Sequence, residues 1–108
     1  MSGRKLTIED LAAMDVAGRA FASREGGARF RGTVRGARVE NNFLTIEVAD
    51  VERCSHEEDW RAIDAFNYGG ARSNTHIYAD PDGAIQVTIG YIGSVRIAPP
   101  RQSCKGTA

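Results

Sequence analysis

A chain of 108 residues has room for one domain built on a single core. With 42% hydrophobic and 26% charged residues, its composition is that of a globular protein and excludes wholesale disorder. The formal net charge of zero argues against a protein that coats nucleic acid by bulk electrostatics, and no apolar run approaches the ~20 residues of a membrane helix.

The first element is a predicted helix over 7–17. Thr7 is a good N-cap, and Glu9 and Asp10 place negative charge in the first turn, where the helix dipole favours it. Ile8, Leu11 and Ala12 share one face, and Gly18 ends the run. A first set of strands is expected over 19–52. Arg19 to Ser23 is short, and Gly26-Gly27 supply the positive φ of a hairpin turn. On the next strand Phe30, Gly32 and Val34 share a face, while Arg29, Arg31, Thr33 and Arg35 lie on the other. Gly36 interrupts that phase, as a bulge or bend does. Glu40-Asn41-Asn42 is a turn, after which Leu44, Ile46 and Val48 alternate with Thr45, Glu47 and Ala49. Arg35 and Glu47 are then expected as a cross-strand charge pair.

At Ser55 the period changes. Ser55-His56-Glu57-Glu58 has the form of a capping box, and Trp60, Ile63 and Phe66 recur at helical spacing. The spacing predicts an inserted helix over about 56–66 with its aromatic side on the core, followed by a loop to residue 74. Closing strands are expected over 75–98. Asp80-Pro81-Asp82-Gly83 forms a turn; Ile85, Val87 and Ile89 alternate beyond it. Gly90-Tyr91-Ile92-Gly93 is a tight link to a strand holding Val95 and Ile97, and 99–108 reads as a flexible tail. The expected fold is mainly β: one domain over 1–108, with an N-terminal helix before a strongly bent barrel of five to six strands.

The order helix, short strand, Gly turn, long bent strand and a strand ending in Asp-x-Glu resembles the Sm and Sm-like (LSm) proteins. The likeness is carried by Gly18-Arg19, by Glu25 to Val34, by Leu44 to Glu52 and by Val87 to Pro99. An SH3-like barrel of another lineage shares the same general pattern. The resemblance implies an oligomer, commonly a ring of six or seven copies joined through edge strands, and it implies RNA binding. In that family the loop after the bent strand carries an Asp and an Asn that reads a base. Here Glu40, with Asn41 and Asn42 nearby, occupies that loop, and Thr45 stands where the Asn would be. The family's Arg-Gly before the last strand falls near Gly90-Tyr91.

The chemistry of the residues leaves two readings of function open. Residues 1–38 carry eight Arg and Lys against four acids, so a basic face is compatible with a neutral total. Arg29, Arg31 and Arg35, with Arg38, are placed to follow a phosphate backbone, and Phe43, Tyr78 and Tyr91 are placed to stack bases. The competing reading is a solvated arginine face neutralised by Glu47 and its neighbours. The candidate nucleic-acid residues are therefore Glu40, Asn41, Asn42, Phe43, Tyr91, Arg29, Arg31 and Arg35. A protein-interaction or small-ligand module on the same scaffold is the alternative.

Catalysis is not expected. Cys54-Ser55-His56-Glu57-Glu58-Asp59 collects polar groups, but neighbours along a helix point in different directions and do not converge on a metal. No Ser-His-Asp spacing, phosphate loop or paired zinc motif is present, and no cofactor is expected. The N-terminus, MSGRKLTIED, lacks the apolar core of a signal peptide, which points to a cytoplasmic protein with no membrane partner. In that compartment Cys54 and Cys104 are expected as reduced thiols.

Overall fold

Alternating apolar residues, punctuated by glycine, asparagine and Pro-Asp turns, build one antiparallel sheet. The computed structural model describes residues 4–55, 59–64, 66–90 and 93–100. The strands are β1 (Arg4–Leu6), β2 (Ala20–Glu25), β3 (Ala28–Glu40), β4 (Phe43–Ser55), β5 (Arg61–Ala62), β6 (Asn67–Ala71), β7 (Thr75–Ala79), β8 (Ile85–Ile89) and β9 (Gly93–Ile97). One helix, α1 (Ile8–Ala13), follows β1, and a 3-10 turn (Arg72–Asn74) joins β6 to β7. The hydrogen-bonded order is β1-β7-β8-β9-β2-β3-β4-β5, with β6 also paired to β4. The protein is thus mainly β, but among the described residues this path of eight strands, with β6 as the ninth strand of the sheet, does not close on itself. The expectation of five to six strands missed β1, β5 and β6.

The inner face of this curled sheet holds the core. Val34, Leu44, Ile46, Val48, Ile77, Ile85, Val87, Val95 and Ile97 are all buried there. Each contributes roughly 1.5–3 kcal/mol relative to an exposed side chain. Ile8 and Leu11 of α1 join the same core, with the helix packed mainly on β3. Thr7 caps the helix: its side chain accepts from the Asp10 amide at 3.0 Å, and Asp10 accepts from the Thr7 amide at 2.9 Å. The helix is shorter than the expected 7–17, because Met14 already has extended backbone.

Two register breaks bend the long β3–β4 hairpin. Arg31 opposes Glu52 and Thr33 opposes Ala49, so Gly32 faces the two residues Asp50 and Val51. Asp50 takes φ +53 there, and the inward phase of β4 passes from Val48 to Val51. The second break lies between Val34, opposite Val48, and Gly36, opposite Glu47, so Arg35 is the extra residue. Such inserted residues increase local twist and turn a flat ribbon into a curved one. A Cβ on Gly32 would stand 2.8 Å from the Ala49 carbonyl oxygen, so the curve closes only over a glycine. The bulge also overturns the expected Arg35–Glu47 pair. Glu47 bonds Arg38 instead, across the space left by Gly36.

The segment 55–74 differs most from expectation. Ser55 is the last residue of β4, and the other three residues of the expected capping box, 56–58, lie outside the described residues. Residues 59–64 and 66 are not helical, and Arg61–Ala62 form a short strand on β4; residues 56–58 and 65 of the expected helix lie outside the described residues. Ile63 and Phe66 do pack on the core, but Trp60 does not. The expected loop 67–74 is largely β6, whose Gly69 and Gly70 lie against Phe43 and against Thr75 and Ile89. A Cβ at these glycines would fall 2.7 Å from Phe43 Cε2 and 2.5 Å from Thr75 Oγ1. Residues 101–108, including Cys104, also lie outside the described residues.

Candidate nucleic-acid interface

The site is built by the outward residues of β8, β9, β2 and β3. Directly opposed residues share a sheet face. One row across the strands runs Lys5, Tyr78, Gln86, Arg96, Ala22, Arg31 and Glu52. The neighbouring row runs His76, Thr88, Ser94, Arg24, Arg29 and Cys54. Between the rows lies a depression of about 300 Å³. Arg24, Arg29 and Arg96 line it with Gln86, and the small Ala22 and Ser94 also form part of its wall. Arg24 directly opposes Arg29, an arrangement of like charges that costs stability unless an anion offsets it. Among the described residues neither has a carboxylate within ion-pair distance. Arg96 faces Asp82 at 3.8 Å.

Trp60 borders this face. Its indole lies over Arg31, with the guanidinium carbon 4.1 Å from the ring centroid, and Arg29 lies 5.7 Å from the same ring. Arg31 also donates to Glu52 at 2.7 Å, which fixes its plane beneath the indole. Trp60 itself remains half-buried. At the other side of the face Tyr78 is 42% exposed, so its ring is open to solvent.

The far end of the β3–β4 hairpin forms a separate group. Asn41 and Asn42 take φ of +55 and +62, making a two-residue turn that brings Glu40 opposite Phe43. The Phe43 ring is 46% exposed and lies over Gly69. Its cations are already engaged. Arg72 grips the Glu9 carboxylate with both terminal nitrogens and donates to Asn42 Oδ1 at 3.0 Å, while Arg38 bonds Glu47. The bond to Arg72 holds the Glu9 carboxyl below the usual carboxylate range, and Glu9 raises the Arg72 guanidinium in turn.

A third feature is an apolar cleft of about 440 Å³ lined by Phe30, Ile63, Phe66 and Tyr68, with Glu25 and Asn67 at its polar side. Phe66 meets Phe30 and Tyr68 edge to face, with centroids 5.7 and 5.0 Å apart. Burial pushes the Tyr68 phenol up to about 12, against a smaller pull from the neighbouring Ser23 hydroxyl. The two hydroxyls sit close without closing a hydrogen bond of normal geometry.

No family model, curated protein or solved structure matches the chain. Its chemistry is therefore read from these residues alone. Arg29 and Arg31 fall on the outer face as their alternation implies. Arg35, exposed in its bulge, lies between that face and the hairpin tip. Glu40, Asn41, Asn42 and Phe43 stand together at the opposite end of β3 from Arg29, so the eight candidates do not form one site. Tyr91 lies outside the described residues. Arg24, Arg96 and Trp60 were missed. The outward phase of Arg24 and Arg96 was legible, but their meeting depends on β9 pairing with β2. Among the described residues no three His, Cys, Asp or Glu side chains gather as metal ligands would, and no helix is long and apolar enough to cross a membrane.

Proposed function

We propose that this protein is a non-enzymatic nucleic-acid-binding module that uses the outer face of β8, β9, β2 and β3. The observation that carries this reading is the depression bordered by Arg24, Arg29 and Arg96, where two arginines oppose each other and, among the described residues, have no carboxylate within ion-pair distance. Guanidinium groups are planar, permanently charged and suited to bidentate contact with phosphate. Three of them around small side chains make a place for one anionic group, and Lys5 and Arg31 extend the charge along the same row. A neutral chain can still bind a polyanion if its cations are segregated on one face.

A small barrel of the Sm-like kind fits this reading: α1 directly precedes the consecutive strands β2, β3 and β4, the β3–β4 hairpin is sharply bent, and sheet edges are left for a second copy to pair with. The homo-oligomer, the RNA partner and the cytoplasmic setting belong to the same proposal. The test is titration of the whole protein with labelled short RNA at low and high salt, together with light-scattering mass. Salt-sensitive binding that is lost on replacing Arg24 and Arg96 by Glu is expected. Failure of the wild-type protein to bind RNA at low salt overturns the reading. The apolar cleft at Phe30, Phe66 and Tyr68 favours the second reading, a small-ligand or protein-interaction module, which such a failure would promote.

A further inference from the structure

The arginine face says only that an anion is wanted; the rings beside it say what form the anion takes. Resting on the nucleic-acid reading above, we propose that the face takes an unpaired strand, with one base stacked on Trp60 and a neighbouring phosphate in the depression at Arg24, Arg29 and Arg96. Trp60 has one ring face against Arg31 at 4.1 Å and stays partly open to solvent, so the indole is held in place while part of it remains free for a ligand. Arg29 links the two subsites physically, because it lies 5.7 Å from the indole centroid and also lines the depression. A base on the indole and a phosphate in the depression thus share one guanidinium.

The surface between the rings suits an unpaired strand better than a duplex. Ala22, Ser94 and Thr88 are small, and among the described residues the one α-helix packs on the core and not on this face, where it could enter a major groove. A duplex hides its base faces in its own stack, whereas an unpaired strand offers them to aromatic side chains. Tyr78 gives the strand a second platform. From β3, beneath Trp60, to β7, which carries Tyr78, there are four interstrand steps along the sheet. That distance is about 19 Å at the usual strand spacing, the span of a few unpaired nucleotides.

Trp60 is the only tryptophan in the chain, so its fluorescence reports this contact directly. The experiment titrates the full chain with short A-rich and U-rich single strands, and with the A-rich strand annealed to its complement, while following indole emission and affinity. Quenching by the single strands, stronger for the A-rich one and weak for the duplex, is expected. Replacing Trp60 by Ala should weaken single-strand affinity on the order of tenfold, and Trp60→Phe should retain most of it. The slope of affinity against salt should not change in either variant, because stacking releases no counterions; a residue that merely propped up the arginines would change it.

Salt-sensitive binding without quenching, or with equal affinity for single strand and duplex, would overturn the stacking proposal and leave the nucleic-acid reading standing. No binding to any oligonucleotide would overturn both. Should Trp60→Ala fail to fold, quenching in the wild-type chain and affinity in Trp60→Phe still decide the matter.

Discussion

The ring of Phe21 lies so close to Gly32 that a Cβ on Gly32 would fall 2.9 Å from Phe21 Cε2. The Ala49 and Asp50 carbonyl oxygens crowd the same position at 2.8 and 3.0 Å, and these are backbone atoms that cannot swing away. Gly32→Ala is therefore expected to destabilise the protein by about 1–3 kcal/mol, the usual cost of overpacking. Chemical denaturation checks it, and Gly36→Ala is the control. A Cβ on Gly36 meets nothing within 4 Å, so that variant should stay close to wild type.

The hairpin tip depends on left-handed backbone at Asn41 and Asn42. Asn41→Ala should cost about 1 kcal/mol, since alanine pays the steric penalty of positive φ without asparagine's local hydrogen bonding. Asn41→Gly should be near neutral. Thermal melting of the two variants distinguishes this backbone requirement from a role of the side chain.

Tyr68 gives the protein an alkaline weakness. Its folded-state value of about 12 lies above the ordinary 10, so the folded chain holds the phenolic proton more tightly than the unfolded chain does. The corresponding stability is whole below pH 10 and is lost as pH rises toward 12. Melting temperature should fall across that window, and the fall should be smaller in Tyr68→Phe. Phenolate absorbance should show a late-titrating component that the same variant lacks.

At the acid end the group to watch is Glu9. Its pairing with Arg72 lowers its folded-state value below 4.5, so its contribution is present above that pH and is lost as pH falls through the folded value. Both partners are exposed, so the effect should be small and should shrink in high salt. Glu9→Gln should flatten the acid limb of a melting series; an unchanged limb would remove this clamp from the account.

If Arg24 contacts phosphate, Arg24→Ala should lower the slope of log affinity against log salt by about 0.7, the share of one contact on a single strand. The loss should be similar for strands of different sequence, because phosphate contacts position without reading bases.

Much of the sheet was legible because one buried face imposes strict alternation. Leu44, Ile46 and Val48, and Ile85, Val87 and Ile89, could be placed on the core by counting in twos. The turns at Gly26, Asn41-Asn42 and Asp80 to Gly83 also announced themselves, since each needs residues tolerant of unusual backbone. Bulges break that arithmetic. One extra residue at Arg35 moved the partner of Glu47 from Arg35 to Arg38, and nothing local marks how many residues a bulge inserts.

Residues 60–66 misled for a different reason. Trp60, Ile63 and Phe66 sit three apart, as on one face of a helix. An irregular segment crossing the sheet can send Trp60 to the outer face and Ile63 and Phe66 to the core with the same spacing. At β6 the paired glycines read as a loop, although they are what allows Phe43 and Thr75 to approach. The interface was half visible for a related reason: Arg29 and Arg31 are neighbours in sequence, while Arg24, Arg96 and Trp60 join them only through long-range pairing.

The strand path ends in two rims of different character. At one rim β1 exposes Arg4 and Lys5; at the other β5 and β6 both add to β4, Arg61–Ala62 beside the uncharged run Asn67-Tyr68-Gly69-Gly70-Ala71. In the proposed oligomer, two β1 rims set edge to edge would bring like charges together, so β1 is expected to add to the unlike rim of another copy. Contacts made that way are polar in direction, head to tail, and lack a twofold axis. The number of copies then follows from the turn angle between successive subunits, which either returns to its start as a ring or climbs as a fibre.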